Sequence, residues 1–298
     1  MSFVSLVKNQ EGREGFVRAV IKSLELINYS FEKDIKNIII KPNLCYYWDY
    51  TTGQTTDPYF IAALIDVLRA KISQDIDISI IESDASAMKC KYVFKMLGYE
   101  KMAKKCNVNL INISEVENES INIKIKSKII QLSIPNIISE SDLLINVPKI
   151  KYTMDPIKIT CALKNIFGCN PYPKKFEYHS ELGEYIVACN KAMKFNLCVA
   201  DGDIVSGIKP KKLGLVMASV DPVSFDTAAS EIAGINPKSL KYLQLAQTEG
   251  IGKASFIPRG ENINNFKSAY PKINIEKKFM SFAYKSVLKI GLGNRLGL

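Results

Sequence analysis

The chain has 298 residues, of which 47% are hydrophobic, and carries a formal net charge of +10 at pH 7. This length fits one large α/β domain or two interlocked ones, and the composition excludes a disordered, collagen-like or low-complexity chain. The single histidine excludes metal sites that need two or three histidines, so any metal would require oxygen or sulfur ligands.

Short apolar runs rich in Val and Ile alternate with helical patterns, which predicts an α/β fold with a mostly parallel sheet and flanking helices. Met1–Lys8 reads as a first strand. Further predicted strands are Asn37–Lys41, Ile76–Ile81, Val108–Ile113, Leu143–Val147, Phe195–Ala200 and Lys212–Ser219. Predicted helices are Gly15–Leu26, Pro58–Arg69, Pro156–Phe167, Leu182–Met193, Pro222–Gly234 and Ser239–Glu249.

One segment departs from this alternation. Residues 117–134 contain a strictly alternating run, Ile121–Lys126, and a second apolar run after a short polar break. The pattern predicts an antiparallel hairpin inserted between two α/β halves. We expect residues 1–270 to form a single large α/β domain, with an irregular part over Ile257–Ile275, and residues 271–298 to form a basic C-terminal helix or tail.

The N-terminus and the cysteines indicate the compartment. Met1–Lys8 lacks a basic region followed by a long apolar run, and no apolar stretch approaches the roughly 18 residues that span a bilayer. The seven cysteines form no C-x-x-C pair, so we expect buried free thiols and find no iron–sulfur cluster motif. A cytoplasmic protein is therefore expected.

Polar residues follow five of the predicted strands directly. In open α/β sheets, ligands bind beyond the carboxyl ends of the strands. One charged strand end is common because strands end in solvent, but five such ends favour a functional cleft. The residues at these ends are Lys41 with Asn43, Glu82 with Ser83, Lys149 with Lys151, Asp201 with Asp203, and Asp221.

Lysines and the lone histidine supply candidate catalytic groups. The loop Lys164–Lys175, which includes Asn165, mixes cations with Gly and Pro and predicts a lid over the cleft. His179 follows this loop and titrates near neutrality, so it is a candidate general acid–base, although a lone histidine is as often structural. The lysines that can hold a carboxylate or phosphate, or act as a general acid, are Lys41, Lys149, Lys151 and Lys164; each alone also fits a solvated side chain.

Aspartates have two competing roles. Thr56-Asp57-Pro58 and Asp221-Pro222 are typical helix starts, so an N-cap is the favoured role for both carboxylates, although such a start also binds anions. Asp201 and Asp203, with Asp226 one turn into the next helix, form a candidate oxygen-ligand site for a divalent metal such as magnesium.

The same residues resemble one known family, the domain of unknown function 362. The motifs are Lys41-Pro42-Asn43, Thr56-Asp57-Pro58, Glu82-Ser83, Val147-Pro148-Lys149-Ile150-Lys151, Thr160-Cys161-Ala162-Leu163-Lys164-Asn165-Ile166-Phe167-Gly168, Tyr178-His179, Val199-Ala200-Asp201-Gly202 and Ala218-Ser219-Val220-Asp221-Pro222-Val223. They run in the family's order from about Lys41 to Gly252.

This resemblance implies an α/β domain of largely uncharacterised activity. Many relatives carry an appended ferredoxin module, which implies an iron–sulfur electron-transfer partner, but the module's cysteine run is absent here. Many members also have Lys-Thr-His where this chain has Lys151-Tyr152-Thr153, which puts catalysis by a histidine on that loop in doubt. A fainter similarity to the lactate racemase fold suggests small carboxylate or phosphorylated ligands.

Positive charge is concentrated in two segments. Lys149–Lys175 contains six lysines and one acid, and Pro271–Leu298 contains six basic residues and one acid, which leaves the remainder neutral overall. In the second segment, a helix over Lys277–Ile290 places apolar residues on one face with lysines flanking it. Such a helix would dock on its own core, pair with a second copy or contact an anionic membrane surface.

These features predict a cytoplasmic enzyme that binds a small anionic metabolite and performs proton transfer or redox chemistry, of the isomerase or lyase type or of the oxidoreductase type. The alternatives are an oxidoreductase fed by a separate iron–sulfur protein, and a ligand-binding or scaffold protein recruited through its C-terminal helix. Nucleic acid is not an expected partner, because no reading motif accompanies the lysines. The candidate catalytic residues are His179, Lys164, Lys151 and Asp201; the candidate binding residues are Lys41, Asn43, Thr56, Asp57, Glu82, Ser83, Lys149, Asn165 and Asp221.

Overall fold

The computed structural model describes residues 1–207 and 209–272. Its strands are β1 (Ser2–Lys8), β2 (Asn37–Pro42), β3 (Asp77–Glu82), β4 (Asn109–Asn112), β5 (Asn118–Ile125), β6 (Lys128–Pro135), β7 (Leu143–Val147), β8 (Lys151–Tyr152), β9 (Ile159–Thr160), β10 (Leu197–Val205), β11 (Lys211–Ser219) and β12 (Phe256–Gly260). Its α-helices are α1 (Phe16–Leu26), α2 (Pro58–Lys71), α3 (Cys90–Met96), α4 (Tyr99–Cys106), α5 (Asn136–Ser139), α6 (Ala162–Phe167), α7 (Leu182–Ala192), α8 (Pro222–Ile232), α9 (Lys241–Thr248) and α10 (Ile263–Ala269).

Eight strands form the central sheet, in the order β12-β1-β11-β10-β7-β2-β3-β4. Five of the neighbouring pairs are parallel, and β11 runs against both of its neighbours, β1 and β10. The predicted α/β class with a mostly parallel sheet is therefore confirmed. Because seven strands share one direction, their carboxyl ends meet at one edge of the sheet, which we call the carboxyl edge; the opposite edge is the amino edge.

Alternating side chains on the buried strands build two apolar layers. In β2, Ile38 and Ile40 pack into one layer with Phe60 of α2, whereas Ile39 packs into the other layer with residues of the helices α6 to α9. Side chains of successive strand residues point to opposite faces, so a strand buried on both faces is apolar throughout. Helices on both faces explain why this sheet reads as continuous Val and Ile runs.

The predicted antiparallel hairpin is also confirmed. Strands β5 and β6 pair from Asn118 opposite Pro135 to Ile125 opposite Lys128. Ile125 is 1% exposed and belongs to the same apolar layer as the buried residues of α7, while much of β5 faces solvent. One apolar face therefore attaches the hairpin to the α/β body, as the alternating sequence indicates.

Two predicted features differ in the structure. The helix predicted over Pro156–Phe167 begins only at Ala162, because the residues before it turn back at Lys158 (φ 64°) to pair β9 with β8. The region expected to be irregular over Ile257–Ile275 contains the end of β12 and all of α10. Strand β12 is an exposed edge strand with a proline, so it lacks the apolar pattern of a buried strand.

The predicted C-terminal helix over Lys277–Ile290 lies outside the described residues. Within residues 1–207 and 209–272, no helix combines the length and the apolar composition needed to cross a bilayer.

Candidate functional site

Buried charged and amide side chains are concentrated at the carboxyl edge. Lys41, Lys149 and Asp201 are each 1% exposed. Burial of such groups costs free energy that apolar residues would not cost, so a cluster of them favours a functional role over a purely structural one. The buried polar residues in these strands or in the segments after them include Lys41, Thr56, Asp57, Glu82, Ser83, Asp84, Asn146, Lys149, Lys151, Asn165, Asp201 and Asp203.

The first ion pair of this edge joins the neighbouring strands β2 and β3. Lys41 Nζ lies 2.8 Å from Glu82 Oε2 and also donates to the carbonyl of Pro42 at 2.6 Å. The Glu82 carboxylate further accepts the backbone N–H groups of Ser83 at 2.9 Å and Leu44 at 3.3 Å. The charge of Lys41 is therefore already neutralised by a carboxylate of the same chain.

The second ion pair joins the segment after β7 to β10. Lys149 Nζ lies 3.0 Å from Asp201 Oδ2, and both side chains are 1% exposed. Asp201 also accepts the backbone N–H groups of Asp57 at 2.8 Å and Asp203 at 3.2 Å. This single carboxylate therefore fixes Lys149, the start of α2 and the local course of β10.

Two more carboxylates surround Asp201. Asp57 caps α2 by accepting the backbone N–H of Tyr59 at 2.8 Å, which agrees with its predicted capping role. Burial and the nearby charge of Asp201 raise the pKa of Asp57 to about 6. Burial also raises the pKa of Asp203, and its Oδ1 atom has no hydrogen-bond partner among the described residues.

An amide network joins α6 to the sheet. The Asn165 side chain donates to the carbonyl of Lys41 at 3.1 Å and to Asn146 Oδ1 at 2.8 Å, and it accepts from Asn43 Nδ2 at 3.0 Å. Thr56 Oγ1 accepts the backbone N–H of Asn43 at 3.0 Å and donates to the carbonyl of Val147. The predicted binding residues Asn43, Thr56 and Asn165 thus also hold the strand-end loops in place.

The predicted lid lies across the end of β3. Lys175 Nζ donates to Ser83 Oγ and to the carbonyl of Asp84, the latter at 3.1 Å, and burial lowers the pKa of Lys175. Ser83 Oγ in turn donates to the carbonyl of Gly168 at 2.5 Å. These bonds attach both ends of residues 168–175 to the segment that follows β3.

A second group of cations lies at the same edge. Lys151 Nζ donates to the carbonyl of Gln54 at 2.6 Å. Lys164 is half-buried, and burial together with the nearby charge of Lys151 lowers the pKa of Lys164 to about 8. Among the residues that the structure describes, no carboxylate lies within 4.0 Å of the Lys164 ammonium group. Lys164 therefore differs from Lys41 and Lys149, which have buried carboxylate partners.

His179 lies close enough to Lys164 for the lysine charge to act on it. Its Nδ1 atom lies 3.1 Å from the carbonyl oxygen of Lys175 and 3.2 Å from that of Phe176, and its ring stacks on Phe176. Carbonyl oxygens only accept, so the neutral ring carries its hydrogen on Nδ1, and Nε2 is the basic nitrogen. Burial and then Lys164 lower the pKa of His179, which keeps the ring neutral at pH 7.

Asp221 is separate from this group. Because β11 runs against its neighbours, Asp221 lies at the amino edge, where it caps α8 and accepts from Ser2 Oγ at 3.0 Å. Its predicted capping role is confirmed. The prediction that five strand ends meet at one cleft was wrong for the end of β11. Strand ends meet at one edge only when the strands run in the same direction, and β11 runs in the opposite direction.

Asp226, the third carboxylate of the predicted metal site, has a different role in the structure. Asp226 caps α6 by accepting the backbone N–H groups of Ala162 at 2.7 Å and Leu163 at 3.2 Å, and burial raises its pKa to about 7. Across residues 1–207 and 209–272, no group of three or more His, Cys, Asp or Glu side chains is placed to hold a metal. A metal at Asp201 and Asp203 stays a prediction.

All seven cysteines are free thiols, as expected, and five are buried. Cys45 is partly exposed, and its sulfur lies close enough to Lys164 to act on the pKa of that lysine. Cys45, Asn146 and Lys175 were not among the predicted site residues. Asn146 could have been predicted as a site residue, because it is an amide inside the otherwise apolar run Leu143–Val147.

Two surface depressions, of about 260 and 360 Å³, lie away from the carboxyl edge: one beside Asp142 and Asn196, the other beside Asn118 and Glu140.

The sheet and its two helical layers define an α/β fold, similar to that of lactate racemase apoprotein from Thermoanaerobacterium thermosaccharolyticum. The TM-score is 0.50 at 13% sequence identity, and the match covers 79% of this chain and 58% of that chain. The chain belongs to the family described as Domain of unknown function (DUF362), whose sequence model matches residues 38–231.

Two other similarities are more limited. A thylakoid-associated protein of Synechocystis sp. is 27% identical over 125 residues, which span 38% of this chain and 39% of that protein. A Thermotoga maritima protein from a structural genomics consortium has a TM-score of 0.38 and 9% identity, with 81% of this chain and 60% of that chain covered. This chain thus spans less than two thirds of each compared protein.

Proposed function

We propose that this protein is an enzyme that binds a small carboxylate or phosphorylated substrate at the carboxyl edge, between Lys164 and Lys151, and transfers a proton with His179. The observation that carries the proposal is the Lys164 ammonium group. It lies half-buried beside a second lysine, and among the described residues it has no carboxylate within 4.0 Å. A cation in this setting is stabilised by an anion from outside the chain.

The ion pairs distinguish the roles of the lysines. Lys41 and Lys149 hold Glu82 and Asp201, so an incoming anion would have to compete with a buried carboxylate for either one. An anion at Lys164 replaces no such partner and relieves the repulsion from Lys151. We therefore assign the anion contact to Lys164, with Lys151 as a neighbouring cation, and we assign to Lys41 and Lys149 the task of fixing the strand ends.

His179 and Lys164 provide complementary proton-transfer groups. A neutral His179 accepts a proton at Nε2 from the carbon next to the substrate carboxylate, and the electron pair of the broken C–H bond moves onto the carboxylate oxygens. The Lys164 ammonium group stabilises the charge that develops there. Delivery of a proton to the opposite face of that carbon, or to a neighbouring carbon, completes an isomerisation. Departure of a leaving group from the neighbouring carbon with its bonding electrons completes an elimination.

Anion-induced thermal stabilisation tests the binding step. Charged hydrogen bonds contribute about 1.5–3 kcal/mol, so Lys164→Gln should weaken binding of lactate, malonate or phosphate roughly tenfold to a hundredfold. The matched control is Lys174→Gln, in the same loop but exposed. Equal stabilisation of Lys164→Gln and wild type by every anion would refute the binding site.

Hydrogen exchange into deuterated water tests the proton transfer. The wild type should exchange the hydrogen next to the carboxylate of a bound 2-hydroxy acid or malonate-type ligand, and His179→Gln should not. A His179→Gln protein that binds the anion and exchanges at the wild-type rate would show that the ring is not the base.

A further inference from the structure

Large side chains are exposed together beside the carboxyl edge, in the loop after β2 and on α3. Trp48 is 51% exposed, Tyr92 54% and Met96 64%, and Tyr46 and Tyr47 are each exposed by more than a third. We call these five residues the aromatic patch. A contiguous exposed apolar surface of this kind is typical of an interaction site, whereas single exposed apolar residues are ordinary.

The two parts of the aromatic patch are held together. The rings of Tyr46 and Trp48 pack edge to face with centroids 5.7 Å apart. The Tyr47 hydroxyl accepts the backbone N–H of Lys89 at 3.2 Å, just before α3 begins. On α3, Tyr92 and Met96 are one helical turn apart and therefore project from one face. The patch is thus one surface built by two segments.

Positive charge is concentrated in the segment that carries α3 and α4. Residues 89–106 contain six lysines and one acid, Glu100. They form a third basic region, although the sequence outside Lys149–Lys175 and Pro271–Leu298 has no net charge overall. Among the described residues, Lys89 alone of these six has a carboxylate partner, Asp84 at 2.6 Å. The other five are exposed: Lys91 and Lys95 on α3, and Lys101, Lys104 and Lys105 on α4.

We propose that the aromatic patch and the helix pair α3–α4 dock on an anionic lipid bilayer. Trp and Tyr are favoured where one end of a ring meets lipid and the other meets water, and lysines beside them attract acidic headgroups. The unpaired lysines favour an anionic surface over a neutral one. Docking here would place the bilayer next to the carboxyl edge, because the patch lies on segments that follow β2 and β3.

The only tryptophan of the chain, Trp48, lies in this patch, so intrinsic fluorescence reports on it directly. With vesicles of phosphatidylglycerol and phosphatidylcholine, the emission of the full-length protein should shift to the blue and become protected from acrylamide. Vesicles of phosphatidylcholine alone, or added salt, should remove most of the shift, because salt screens surface charges.

Two double variants provide the comparison. Lys91→Gln with Lys95→Gln should weaken vesicle binding on the order of 25-fold, since each lysine near the surface contributes roughly fivefold. Lys238→Gln with Lys241→Gln, which changes two exposed lysines near α9, should bind as the wild type does.

Three results would overturn the proposal. The first is protein that pellets with vesicles while Trp48 emission stays unshifted, which would place the contact on another surface. The second is equal binding by both double variants. The third is a blue shift that grows with protein concentration in the absence of vesicles, which would assign the patch to a second copy of this chain.

Discussion

Removal of the buried carboxylate at Asp201 should destabilise the protein severely. Asp201→Asn keeps the shape of the side chain but removes the ion-pair partner of the Lys149 ammonium group, which is 1% exposed. Breaking a buried ion pair in this way costs about 3–5 kcal/mol. The asparagine oxygen retains one acceptor position, so one of the two backbone N–H bonds, from Asp57 or Asp203, is weakened and adds about 1 kcal/mol.

The expected loss is therefore about 4–6 kcal/mol of unfolding free energy, within a typical total of about 5–15 kcal/mol. Urea titrations followed by circular dichroism measure this loss. With a slope of about 3 kcal/mol/M, the midpoint should fall by more than about 1 M. A second variant, Lys149→Met in the Asp201→Asn background, removes the unpaired charge and should recover much of the loss.

An exposed ion pair supplies the control. Lys128 and Glu181 form a salt bridge with side chains 45% and 44% exposed, so Glu181→Gln should leave the urea midpoint unchanged within error. If Asp201→Asn shifted the midpoint as little as Glu181→Gln, or if Lys149→Met recovered nothing, the carboxyl edge would not depend on this buried pair.

Two further predictions concern pH and backbone geometry. The pKa of Asp226 is raised to about 7, so the folded state binds the extra proton and unfolding free energy should fall as pH rises from about 4 to about 7, by up to about 1.4 kcal/mol per pH unit. Asp226→Asn should flatten that slope in urea titrations, and an unchanged slope would contradict it. At Gly53 (φ +71°), an added Cβ would lie 2.4 Å from the backbone of Val205 and Ser206. Gly53→Ala should therefore lower the free energy of unfolding by about 2–4 kcal/mol in the same urea titrations. Gly234→Ala, at the same φ with open space, should cost only about 1–2 kcal/mol, and equal losses would refute the contact argument.

The elements that local patterns predicted well are those buried on both faces. Continuous Val and Ile runs located β2, β3, β7 and β10 because central parallel strands need apolar residues at every position. The helices α3 and α4 were missed because each spans only about two turns and Gly98, at positive φ, interrupts the helical pattern between them.

The reversal of β11 is consistent with the length of the segment that precedes it. Eleven residues, which include Gly202, Gly207 and Pro210, separate the predicted strands Phe195–Ala200 and Lys212–Ser219, and a parallel crossover requires a dozen or more residues, usually with a helix. So short a connection favours a hairpin. A hairpin between these two strands places Asp221 at the amino edge.

The ion pairs at the site could not be predicted without the order of the strands in the sheet. The strand-end rule located Lys41, Glu82, Lys149 and Asp201, but it treated the lysines as equivalent. Lys41 meets Glu82 because β2 lies next to β3, and Lys149 meets Asp201 because β7 lies next to β10. That order is set by long-range packing, so the distinction between these two lysines and Lys164 was not available to spacing arguments.

The direction of β1 decides how the protein can be presented to a ligand. Ser2 lies at the amino edge, where its hydroxyl contacts Asp221, and the seven residues of β1 then run across the sheet toward the carboxyl edge over roughly 23 Å. A biotin or affinity handle joined before Ser2 would therefore anchor the molecule by its far side. On a sensor chip, that orientation leaves Lys164, Trp48 and their surroundings facing the flowing solution, so immobilised protein can be titrated with anions and vesicles alike.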